Sequence, residues 1–93
     1  MQNGIDLKQF YQELDALYKK KNSAGTIRYL ENCLREAETK HDSSGIVAVC
    51  NELGGVCRAM GQTDRAKELY HTVLTNLEHM GLTHSEHYAT ALI

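Results

Sequence analysis

Five histidines and three cysteines are the residues in this chain best able to do chemistry. His84 and His87 lie three apart with Glu86 between them. Two ligands at that spacing share a helical face, but a metal centre needs three or four. A solvated or linker-packing role therefore outweighs metal binding for this pair. Cys50 and Cys57 are seven apart, in the company of Val47, Leu53 and Gly54. That spacing and company fit small buried hydrophobes. Cys57 with His71 as its base would make an activated thiol, but Glu68 and Thr75 put His71 on a polar face. Gly54-Gly55 lies inside a helical pattern and not after a strand, so it is no phosphate loop. Acidic residues scatter along polar faces without forming a pair. These residues imply no catalytic group, no metal site and no cofactor, and the chain is expected not to be an enzyme.

The elements that carry these residues follow from composition and periodicity. Ninety-three residues make one small domain. Ten Lys and Arg against twelve Asp and Glu give a net charge of −2, which is no footprint for nucleic acid. No apolar run is long enough for a membrane span or a secretory leader, so a cytoplasmic location is the expectation. An odd cysteine count without a leader argues against a disulfide framework. Proline and tryptophan are both absent, and Leu, Ala, Glu and Lys are frequent, which favours helix.

Apolar residues recur at helical spacing throughout. Leu7, Phe10, Leu14 and Leu17 form a first stripe, with Asp6 as N-cap and Gln9 as its capping-box partner. This helix is expected to end near Lys21-Asn22. The run Lys19-Lys20-Lys21 then places cations at its C-terminus, where they are stabilising. A second helix begins at Ser23 and turns Ile27, Leu30, Cys33, Leu34 and Ala37 inward. Lys40-His41-Asp42-Ser43-Ser44-Gly45 reads as a turn plus a new cap, and a third helix runs from about Ser44 to Met60 with Val47, Cys50, Leu53, Gly54 and Cys57 inside. Thr63 is expected to cap a fourth, whose stripe is Ala66, Leu69, Tyr70, Val73, Leu74 and Leu77. After Gly81, a capping box of Thr83 and Glu86 opens a fifth helix through Tyr88, Ala89, Leu92 and Ile93.

The chain also repeats itself. Shifted by 40 residues, Leu7 meets Val47, Phe10 meets Cys50, and Leu17 meets Cys57. In the second helices Leu30 meets Tyr70, Cys33 meets Val73, Leu34 meets Leu74, and Ala37 meets Leu77. A shift of 43 superposes several apolar residues as well. Two antiparallel helix pairs and the start of a third are the common result.

The stretch Leu53-Gly54-x-x-Cys57-x-x-x-Gly61-x-x-x-x-Ala66-x-x-x-Tyr70-x-x-Val73 resembles the tetratricopeptide repeat. Leu53, Gly54, Gly61, Ala66 and Tyr70 keep the family's spacing. Cys57 stands where an aromatic is usual, and Val73 where Ala is usual. Met80-Gly81-x-x-His84-Ser85-x-x-Tyr88-Ala89 is similar to the longer, kinesin-light-chain type of repeat, with Ser85 in place of the usual Pro. The resemblance implies an all-α, right-handed α-solenoid of antiparallel helix pairs. It divides 1–93 into a degenerate first repeat (5–40), a second repeat (44–82), and the start of a third repeat or a closing helix (83–93).

The same resemblance implies a concave groove lined by the first helix of each pair, where a peptide or an extended protein segment binds. Carried onto this chain, the groove face comprises Lys8, Tyr11, Asp15, Tyr18 and Lys19 from the first repeat. The second repeat contributes Ala48, Asn51, Gly55, Arg58 and Ala59. Asn51 would hydrogen-bond a ligand backbone, and Arg58 with Lys8 would hold a carboxylate. Gly55 costs about 1 kcal/mol in a helix interior, and in the groove it would let a ligand backbone approach closely. Two readings follow. One is a protein- or peptide-binding module, with no nucleic-acid or membrane partner. The other is a homodimer formed through the apolar end surface Tyr88, Leu92 and Ile93, or a piece of a larger scaffold.

Overall fold

The structure is a computed structural model and describes residues 4–80. Among the described residues there are four helices: α1 (Leu7–Lys19), α2 (Ser23–Thr39), α3 (Ser43–Ala59) and α4 (Thr63–His79). No strand occurs among the described residues. The expected fifth helix, with His84, His87, Tyr88, Leu92 and Ile93, lies outside them.

The ends of α1, α2 and α3 are built the same way. Lys21, His41 and Gly61 have positive φ angles of 53°, 53° and 80°, and they fall 20 residues apart. A left-handed residue at this position closes the last helical turn. The His41 and Asp42 amides donate back to Glu38 and Ala37, and the Gly61 and Gln62 amides to Arg58 and Cys57. The residue after each left-handed turn is the next N-cap. Asp6, Asn22 and Asp42 accept from the backbone amides of Gln9, Gly25 and Gly45. This regularity corrects three expected boundaries. Helix α1 stops at Lys19, short of Lys21-Asn22, because Lys21 already turns left-handed. Asp42 takes the α3 cap, so α3 begins at Ser43, before Ser44. Gln62 occupies the α4 cap position without a side-chain bond, and Thr63 is the first helical residue and not the cap.

Helices α2 and α4 have limits that superpose at a shift of 40, which decides between the two registers. Successive helices pack on one another around a shared core. Phe10 and Leu14 enter it from α1, and Leu30, Leu34 and Ala37 from α2. Cys50, Leu53 and Cys57 enter from α3, and Ala66, Leu69, Val73 and Leu77 from α4. The Phe10 and Tyr29 rings stack across the α1–α2 contact at 6.0 Å. Leu7 and Leu17, expected inside, are only half-buried, whereas Val49 is wholly buried although it lies off the expected stripe of α3. The reason is position. Helix α3 meets α2 on one side, α4 on another and α1 beside it, so a single stripe does not describe it.

Alternate helices are tied as well. The Tyr18 hydroxyl on α1 donates to Glu52 Oε1 on α3 at 3.0 Å. On the opposite seam, Arg65 Nη2 on α4 lies 2.9 Å from Glu31 Oε1 on α2. Helix α1 therefore lies alongside α3, and α2 alongside α4.

Candidate binding face

Two ties fix the direction of α1 against α3. The Ile5 amide, just ahead of α1, donates to Asp42 Oδ2, just ahead of α3, at 2.9 Å. Further along both helices comes the Tyr18–Glu52 bond. The two helices thus run the same way and present one shared face. A cleft of about 290 Å³ opens near their starts, between Leu7 and Tyr11 of α1 and Ser44, Val47, Ala48 and Asn51 of α3. Leu77 and Met80, at the end of α4, close it. A second cleft of about 310 Å³ lies near the helix ends, where Leu17 and Tyr18 face Val56, Ala59 and Met60.

The residues expected in a groove divide between these places. Tyr11, 47% exposed, shares the first cleft with half-buried Asn51. Tyr18, 41% exposed, lines the second. Lys8, Asp15, Gly55 and Arg58 are exposed and line neither. Asp15 pairs with Lys19 one turn on at 3.1 Å, a solvent-exposed pair. A Cβ on Gly55 would meet no atom within 4 Å. Lys8 stands in the first turn of α1 and Arg58 in the last turn of α3, toward opposite ends of the face.

Glu52 was not among the expected residues. It is half-buried, and its charge reaches two tyrosines. Burial pushes the Tyr18 hydroxyl up to about 12, helped by the charge of Glu52 and by the hydrogen bond to it. Burial and then the same charge also raise Tyr11. Glu52 sits between groove-facing Asn51 and core-facing Leu53, a position that a stripe pattern assigns to neither side. Leu77 and Met80 are also new to the face. Their signal is spatial: they come from α4, and only its packing beside α3 brings them to the cleft.

The cysteines behave as buried hydrophobes. Cys50 and Cys57 are 0% and 1% exposed, and Cys33 is half-buried. Burial pushes the Cys50 thiol up to about 12 and raises Cys57 and Cys33 too. A protonated thiol is a poor nucleophile, and His71 is exposed while Cys57 is buried. Among the described residues no three His, Cys, Asp or Glu side chains gather as a metal site. No described helix is long and apolar enough to cross a membrane.

No protein-family model matches the chain, and no curated protein or solved structure matches it.

Proposed function

We propose that this chain is a non-catalytic, cytoplasmic protein–protein interaction module, a tetratricopeptide-like solenoid that binds a peptide or extended protein segment along the α1–α3 face. The observation that carries this reading is the cleft in which exposed Tyr11 meets half-buried Asn51. An extended backbone needs hydrogen-bond partners when it leaves water, and the Asn51 amide offers both a donor and an acceptor. Leu7, Val47, Ala48, Leu77 and Met80 provide an apolar seat for a ligand side chain. Two features support the solenoid reading. Helices recur at a 40-residue step, and Gly54 lets the Tyr70 ring close on the backbone of α3.

The test is an NMR titration of the 93-residue chain against a library of short extended peptides, repeated on Asn51→Ala and Tyr11→Ala. Binding shifts should map to Leu7, Tyr11, Ala48 and Asn51, and each variant should weaken binding by about fivefold to tenfold, the worth of one lost hydrogen bond or ring contact. Shifts that map elsewhere, or affinities indifferent to both variants, would sink the groove reading. Sedimentation equilibrium on the same samples tests the alternative, self-association through Tyr88, Leu92 and Ile93, which lie outside the described residues.

A further inference from the structure

Glu31 and Glu52 are both half-buried glutamates on seams between alternate helices, but only one of them meets a cation. On the α2–α4 seam, Arg65 neutralises Glu31 at 2.9 Å. On the α1–α3 seam, Glu52 accepts a hydrogen bond from the neutral Tyr18 hydroxyl and forms no ion pair with any described residue. Arg58, six residues further along the same helix, does not pair with it either. At Glu31 the fold supplies a compensating cation, whereas at Glu52 the partner is a neutral hydroxyl in a solvent-exposed bond, which leaves the negative charge available to a ligand.

Two aromatic rings on α1 belong to the same face, and the Tyr18 hydroxyl contacts this carboxylate directly. Tyr11 and Tyr18 are seven residues apart on α1, two helical turns or about 10 Å, and both are exposed. Glu52 holds the Tyr18 hydroxyl at 3.0 Å, and its charge also helps to raise Tyr11. Tyrosine ring faces are electron-rich and attract cations, the more so beside a carboxylate. Asp15, on α1 between the two tyrosines, adds a second carboxylate, held only by the exposed and readily exchanged Lys19 pair. The centre of the face therefore combines two aromatic rings with the Glu52 carboxylate and the Lys19-paired Asp15.

We propose that the segment bound along the α1–α3 face presents a basic side chain, whose cation seats between Tyr11 and Tyr18 and pairs with Glu52. The proposal rests on the peptide-groove reading and gives that ligand a charge. An arginine suits the seat best, because its planar guanidinium can stack on a ring and bond a carboxylate at once. The apolar cleft around Asn51 adjoins the seat along α3, so a ligand residue next to the arginine is apolar. This chemistry is opposite to the carboxylate grip expected from Lys8 and Arg58.

The experiment uses three extended peptides, identical except for a central Arg, Ala or Glu, titrated into the 93-residue chain with the tyrosine ring signals as the readout. The Arg peptide should bind about tenfold more tightly than the Ala peptide, move the Tyr11 and Tyr18 signals, and lose its advantage as salt is raised. Glu52→Gln should abolish the preference, bringing the ratio of Arg- to Ala-peptide affinity to about one, and Tyr18→Phe, which keeps the ring, should retain most of it. If Glu52→Gln fails to fold, the ranking on the unaltered chain decides alone. Peptides that bind at Tyr11 and Asn51 with no charge preference overturn the cation seat and leave the groove reading standing. Absence of any binding at Tyr11 and Asn51 overturns both.

Discussion

The ring of Tyr70 lies against the backbone of Gly54, where a Cβ would sit 2.8 Å from Tyr70 Cε1. Helices α3 and α4 therefore approach as closely as a residue without a side chain allows. Adding a methyl at Gly54 gains about 1 kcal/mol of helix propensity but forces the ring away, which costs about 1–3 kcal/mol. Gly54→Ala should lose about 1 kcal/mol net in urea unfolding. Combining it with Tyr70→Leu should recover part of the loss, because the two substitutions share one contact. A stabilised Gly54→Ala would show that the ring moves freely.

Its neighbour behaves in the opposite way. Nothing lies within 4 Å of a Cβ on Gly55, so only the propensity gain remains. Gly55→Ala should stabilise the chain by about 0.8–1 kcal/mol. If it also weakens peptide binding, a ligand backbone comes close to α3 at this point. An unchanged affinity would place the ligand away from Gly55.

Asp42 has two tasks. One carboxylate oxygen caps α3 through the Gly45 amide, and the other holds the Ile5 amide at the start of α1. A lost cap costs about 1 kcal/mol, and the second bond adds about 1 more. Asp42→Ala should therefore destabilise by about 2 kcal/mol, against about 1 for Asn22→Ala, whose side chain caps α2 alone. Equal losses in thermal or urea melts would mean that the Ile5 bond contributes nothing.

Alkaline pH should unfold the chain from its thiols first. The Cys50 thiol has an ordinary value of 9.0 and is held up to about 12 by burial in the fold. Tyr18 is raised from 10.0 to about 12. Between these values the unfolded chain has released protons that the folded chain retains, so stability falls as pH rises. It should be little affected by these groups at neutral pH, where the Cys50 thiol is protonated in both states, begin to fall as pH nears 9.0, and decline progressively toward 12. Urea midpoints measured from pH 7 to 11 test this, and Cys50→Ala should flatten the part that begins near 9.0. At neutral pH, Cys50 and Cys57 should react with a thiol reagent only through unfolding, whereas half-buried Cys33 should react sooner.

Much of the fold was legible because helix periodicity is a local property. The stripes around Phe10, Leu30, Cys50 and Leu69 located all four helices, and the Asp6 cap and the Gly61 turn were read from residue type alone. Thr63 misled because a hydroxyl residue near a helix start resembles a cap, while the left-handed turn at Gly61 passes that position to Gln62. The breaks near Lys21 and at Lys40–Gly45 were legible too, but not that Lys21 and His41 carry the left-handed turns, since neither residue type announces a positive φ. On the face itself, Tyr11 and Asn51 were legible through the repeat register. Glu52 was not, because its partner Tyr18 lies 34 residues away.

The amino-acid sequence by itself determined the helices of the described residues and the burial of Cys50 and Cys57, while the choice of the 40-residue period over 43 came from the helix limits in the structure. The helices and the cysteine burial follow from residue size, polarity or spacing along the chain. Only the tertiary structure decided which charges are neutralised, Glu31 by Arg65 but not Glu52. It also decided that Lys8 and Arg58 stand apart, and that Leu77 and Met80 close a cleft begun by α1 and α3. Pairing between distant residues depends on how helices are laid side by side, and no periodicity within one helix encodes that placement.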